Sequence, residues 1–167
     1  MTSQHHLAQI NIGRTVAPLD SPALADFMNG LAEINALAEA SPGFVWRLQT
    51  PAGDATSLKP YPDERIIINL TVWETLEHLK DFAYKSQHAL YLKRRGEWFE
   101  KFDGPFIALW WVKAGEIPTI AEAQERLEYL RTHGETPYAF SFRKTFQPEA
   151  LVVSTTVDGQ SASSAAH

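Results

Sequence analysis

His88 and Arg95 lie in a stretch, Tyr84 to Phe102, whose apolar residues recur at helical spacing. At about 100° per residue, Tyr84, His88, Tyr91, Leu92, Arg95, Trp98, Phe99 and Phe102 share one arc. Lys93, Glu97, Glu100 and Lys101 fall opposite. An imidazole on an apolar arc can take a proton, donate a hydrogen bond to a substrate or ligate haem iron. It can equally be a histidine hydrogen-bonded inside the core. A guanidinium there cannot shed its charge, so it needs an acceptor. That acceptor is an internal carboxylate or carbonyl, or else a ligand's carboxylate, phenolate or enolate.

Other residues could complete a pocket. Asn11, Asn35 and Asn69 are carboxamides inside otherwise apolar patterns. Such amides bind a ligand or an oxyanion, or satisfy a buried backbone group. Arg47 is a second basic candidate, sharing a strand face with Val45 and Gln49, opposite Trp46. Tyr84, Trp98 and Trp111 would wall a flat aromatic substrate, and would serve equally well as core. Ser86, Ser141 and Thr71 lack the surroundings of a nucleophilic triad. No glycine-rich phosphate loop or dinucleotide fingerprint is present, so no nucleotide cofactor is expected. The chain has no cysteine, which excludes thiolate nucleophiles and Cys-ligated metals. His78 is ten residues before His88 and about 80° away on the wheel, so the pair does not suggest a metal site. The expectation is a site with neither metal nor cofactor.

The elements that must position these residues follow from periodicity. Leu7–Gly13 alternates as a strand. Ser21 and Pro22 read as N-cap and first position of a helix that Ser41-Pro42-Gly43 ends. Gly43–Gln49 and Arg65–Trp73 read as strands flanking a Pro- and Gly-rich loop, Thr50–Asp63. A helical region from Glu74 to about Phe102, in two pieces, is broken by Gly104-Pro105 before a strand at Phe106–Val112. A last helix has Thr119 and Glu122 at capping-box spacing and Gly134 after its end. Tyr138–Arg143 alternates as a fifth strand. The order β-α-β-β-α-β, then α-β, matches the ferredoxin-like split unit.

A chain of 167 residues suits a single domain, 1–146, with a Ser-, Ala- and Thr-rich tail, 147–167, expected to be disordered. The net charge of −5 argues against a nucleic-acid partner. No apolar run approaches the ~20 residues of a membrane span, and no signal peptide is apparent, so a cytoplasmic protein is expected. Adjacent Trp110 and Trp111 point to opposite sides of one strand. Helices of one chain cover one face of such a sheet, so a second copy is the simplest cover for the other.

Several stretches carry a family resemblance. Ala8-Gln9-Ile10-Asn11-Ile12, Glu33–Glu39, Ser41–Leu48, Arg94–Phe99, Ala108–Val112 and Thr136–Arg143 resemble a bacterial family classed as a domain of unknown function. That family is similar to members of the dimeric α/β-barrel superfamily, beside the antibiotic-biosynthesis monooxygenases. The resemblance covers roughly residues 7–146. It implies an α+β, ferredoxin-like dimeric α/β barrel: an antiparallel sheet with helices on one face, assembled as a homodimer. It also implies a small-molecule ligand. The leading expectation is a cofactor-independent monooxygenase-like enzyme acting on an apolar aromatic compound. His88 would move the proton, while Arg95 and the asparagines would hold the anion. Haem binding through His88 and a non-catalytic binding or sensing module are the alternatives.

Overall fold

The computed structural model describes residues 4–148. The segment expected to be a tail lies almost wholly outside them. Four strands form one antiparallel sheet: β1 (His5–Arg14), β2 (Phe44–Arg47), β3 (Ile66–Trp73) and β4 (Ile107–Lys113), in the order β2-β3-β1-β4. This is the ferredoxin-like order. Leu7, Ala8 and Ile10 of β1 face Trp73, Val72 and Leu70 of β3, and Trp111, Trp110 and Ala108 of β4. Side chains alternate across a strand, so this register sorts them into two faces. Ala8, Ile10 and Ile12 stand on one. Leu7, Gln9, Asn11 and Gly13 stand on the other.

The helices of the split unit lie over the second face. A 3₁₀ turn at Pro22–Leu24 leads into α1 (Ala25–Ala40). Ser21 donates to the Pro18 carbonyl rather than capping the helix. The region expected as two helical pieces is three: α2 (Leu76–Lys85), α3 (His88–Lys93) and α4 (Arg95–Trp98). Thr75 caps α2 by accepting from the His78 backbone N–H. After Trp98 the chain is extended, and Phe99 pairs with Thr15. Phe99 and Phe102 therefore leave the helical arc. The Phe99 ring lies against Gly13, where an added Cβ would come within 2.6 Å of it.

The opposite face is covered from within the chain. Helix α5 (Ile120–His133) is capped by Thr119 and ends at Gly134, whose φ of 75° suits a residue without a Cβ. It buries Ala123, Leu127 and Leu130 on Ile10, Ile68, Leu70 and Trp110. Leu58 and Tyr61 of the long loop extend that cover. A second copy is thus not needed to shield this face. The reading of Trp110 and Trp111 as pointing to opposite sides stands, but α5 meets Trp110.

Two strand expectations change. Tyr138–Arg143 is not a fifth strand. Only Phe140 exchanges backbone hydrogen bonds with β4, at Leu109. Tight turns on either side, Thr136 N–H to the Ala139 carbonyl and Lys144 N–H to the Ser141 carbonyl, use the groups a ladder would need. In β2 the pairing shifts between Phe44 and Trp46. This bulge puts Phe44 and Arg47 opposite Trp73 and Thr71, on the helix-covered face, and leaves Trp46 opposite Val72 on the other.

No helix among the described residues is long and apolar enough to cross a membrane. Because Leu127 is buried in the core between α5 and the sheet, Leu127→Ala should cost about 2–5 kcal/mol in urea unfolding. Leu31→Ala, on α1 and only half-buried, should cost under about 1.5 kcal/mol in the same assay.

Candidate functional site

Helix α1 does not pack flat on the sheet. Within it only Gly30 and Ala38 are buried. Between the helix layer and the sheet lies a cavity of about 340 Å³. Its floor is polar: Gln9 and Asn11 of β1 with Asn69 and Thr71 of β3. An apolar helix cannot lie on carboxamides without leaving them unsatisfied, so the layers separate here. Asn69 is solvent-exposed although it stands mid-strand on the covered face, so water reaches this floor. Its Oδ1 accepts a long, 3.5 Å hydrogen bond from Asn11 Nδ2.

Aromatic contacts hold the layers apart at both ends. At one, Trp98 (2% exposed) packs on Phe27 of α1 and on Tyr91. Phe27 meets Phe99 edge-on, and the Tyr91 hydroxyl sits against Gly30. At the other, Phe82 stacks on Trp73, which Phe44 meets edge-on.

His88 lines the cavity from the start of α3. Its Nδ1 is 3.2 Å from the Ala83 carbonyl oxygen. A carbonyl only accepts, so Nδ1 carries the proton and Nε2 presents the lone pair. Phe82 packs 4.8 Å from the ring. Ser86 sets the approach: its hydroxyl donates to the Phe82 carbonyl and accepts from the His88 backbone N–H. Burial pushes the imidazole pKa below its ordinary value, and the Ala83 hydrogen bond offsets this only in part. His88 is therefore neutral at pH 7.

Arg95 lines the other end. One guanidinium nitrogen donates to the Ile12 carbonyl at 3.3 Å. Its central carbon lies 4.1 Å from the Phe106 ring centre and 5.1 Å from that of Phe99. Among the described residues no carboxylate comes within 4.0 Å, so the internal ion pair is absent. The carbonyl contact takes one of five N–H donors. Burial lowers the guanidinium pKa, but an arginine stays charged. Arg47 differs. It lines the cavity with its side chain 10% exposed, and Glu39 of α1 holds its Nε at 2.7 Å.

Asn35 faces the cavity from α1 and Tyr84 from α2, the latter 53% exposed with its ring edge-on to Phe142. Trp111 is placed elsewhere. It shares the sheet face but donates its indole N–H to the Phe146 carbonyl at 2.7 Å and packs with Phe140 and Leu109. The cavity floor adds Gln9, and gives Thr71, dismissed above as a nucleophile, a place as a hydrogen-bonding group. Their signal was positional: Gln9 alternates in phase with Asn11, and Thr71 with Asn69.

The chain belongs to the family described as a domain of unknown function (DUF3291), the match spanning residues 6–155. No curated protein matches it. Among solved structures it is similar to PA3566 from Pseudomonas aeruginosa, at 14% identity over 68% of this chain and 96% of that one, with a TM-score of 0.44. NE2512 from Nitrosomonas europaea, a protein of unknown function, is 17% identical over 70% and 97%, with a TM-score of 0.42. The heme-degrading protein Rv3592 from Mycobacterium tuberculosis is 15% identical over 70% and 99%, with a TM-score of 0.38. Similarities of this size say nothing of function.

Two measurements check this geometry. Arg95→Met should cost no more than about 1.5 kcal/mol in urea unfolding, since it strands no carboxylate. A buried ion pair would cost about 3–5 kcal/mol. The lowered pKa of His88 means the unfolded chain binds its proton first as pH falls. The stability it contributes is present above the ordinary histidine value of 6.5 and is lost as pH drops through the lower folded value. Melting temperatures between pH 5 and 8 should show that acid limb in wild type and a shallower one in His88→Gln.

Proposed function

We propose that this chain binds a flat, apolar aromatic anion in the cavity and oxidises it as a cofactor-independent monooxygenase, within the dimeric α/β-barrel superfamily. One juxtaposition carries the reading: a charged Arg95 without a carboxylate and a neutral His88 with an uncommitted Nε2 line the same, largely apolar chamber. Pockets for small molecules combine apolar walls with a few convergent polar groups. Arg95 holds the anion. Nε2 of His88 takes a proton from a CH₂ group that the aromatic system acidifies. The carbanion gives an electron to dioxygen, and the radical pair joins as a peroxide anion. His88 returns its proton, and loss of water leaves a carbonyl. One CH₂ and one O₂ thus give one C=O and one H₂O. The homodimer expected from the resemblance belongs to this reading, with each pocket complete within its own chain.

Calorimetric titration with fluorene-2-carboxylate should show one saturable site per chain. Arg95→Met should weaken it at least about tenfold. Oxygen uptake with a panel of CH-acidic aromatic carboxylates should fall at least about 100-fold in His88→Gln. Absence of a saturable site sinks the reading.

The His88 tautomer also suits an axial ligand, because metal-bound imidazoles commonly donate their other N–H to a carbonyl. Haem binding is the second reading. Phe82 crowds the imidazole ring, its centre 4.8 Å away. Titrating haemin should give no Soret shift at one equivalent. A stoichiometric shift abolished by His88→Ala would reverse the ranking.

A further inference from the structure

The indole nitrogen of Trp73 can only donate. It donates to Thr71 Oγ1 at 3.0 Å, and Thr71 Oγ1 lies 2.8 Å from Gln9 Oε1. Among the described residues the Thr71 hydroxyl has no other side-chain acceptor, so its proton goes to Gln9. This directional chain fixes the Gln9 carboxamide: the oxygen is used, and the NH₂ group is left over. Gln9 is 5% exposed and lines the cavity floor, and no protein acceptor for its NH₂ exists among the described residues. A donor pair without a protein partner, on a residue 5% exposed that lines the cavity and is oriented by a fully buried tryptophan, is a place for a ligand's acceptor.

Resting on the function proposed above, we infer that Gln9 is the group that selects the substrate: it donates to a carbonyl or enolate oxygen on the ligand's ring system. Gln9 is three residues from Ile12, whose carbonyl holds Arg95, or about 10 Å along β1. A molecule of two or three fused rings spans that distance, with an acidic group at Arg95 and a ring oxygen at Gln9. Removal of a proton next to that carbonyl moves charge onto its oxygen, which the Gln9 N–H groups would then stabilise. The substrate class is therefore a fused-ring aromatic ketone or enolisable phenol that carries a separate anion. Trp73 and Thr71 are positioning residues, since they act only through Gln9.

The test compares two probes that differ in one group. Fluorene-2-carboxylate and 9-fluorenone-2-carboxylate share rings and carboxylate, but only the second has the ring oxygen. Calorimetry on wild type should show the ketone binding about tenfold tighter, the worth of one buried hydrogen bond. Gln9→Met should erase that preference while keeping affinity for the fluorene. Thr71→Val should reduce the preference and Thr71→Ser should restore it, whereas Arg95→Met should weaken both probes alike. Melting curves accompany each variant. The wild-type comparison stands even if a variant fails to fold. Equal binding of the two probes to wild type, or a preference that survives Gln9→Met, overturns the role of Gln9 and leaves the anion pocket intact. Binding of neither probe overturns the pocket reading and this inference with it.

Discussion

Four polar side chains in the middle of a sheet face set the plan of this protein. Gln9, Asn11, Asn69 and Thr71 occupy the centre of the two central strands, where a helix would otherwise lie. Only two of the resulting contacts are short hydrogen bonds, both within the Trp73–Thr71–Gln9 chain. The asparagines barely reach each other. A helix laid on them would bury unpaired amides at several kcal/mol. Instead α1 stands off, propped by Trp98 and Phe27 at one end and closed at the other by Phe82 on Trp73. The separation makes the chamber. The breaks in the following helical segment then turn His88 and Arg95 into it. Short helices allow this where one continuous helix would carry both residues along a single line.

Much of this was legible in the residues alone. Alternation identified the four strands, and their order with the intervening helices identified the ferredoxin-like unit. Asn11 and Asn69 were conspicuous as amides in apolar strands, and they prove to be register partners. His88 and Arg95 were conspicuous as polar groups on an apolar arc. What was not legible depends on long-range pairing. Tyr138–Arg143 alternates like a strand, but the turns around it satisfy their own backbone. The bulge at Val45 reassigns Phe44 to the face of Arg47, a change invisible to any period-two reading. Gln9 alternates in phase with Asn11, and nothing in the alternation alone singles it out. Its importance comes from Thr71, a residue 62 positions away.

The two basic residues show how the same side chain serves different ends. Arg47 has a carboxylate partner on a neighbouring helix, and its contact ties the strand edge to α1. Arg95 has two aromatic faces and a single carbonyl. Aromatic faces stabilise a cation without neutralising it, so the field of Arg95 still reaches into the chamber. Sequence cannot separate these cases, because the difference lies in what the fold brings opposite each guanidinium.

The sheet's other face has a consequence for how such a chain can change. Leu127, Leu130 and Trp110 are buried there, with no part in the chamber. That face is core from end to end, whereas the helix-covered face is core around Leu7, Trp73, Leu109 and Trp111 and opens into the chamber only at its centre. Half-buried residues of α1 that look into the chamber, such as Leu31 and Asn35, can be exchanged while the two cores maintain the fold. The architecture separates the substitutions that a lineage, or an engineer, can explore freely from those that it cannot.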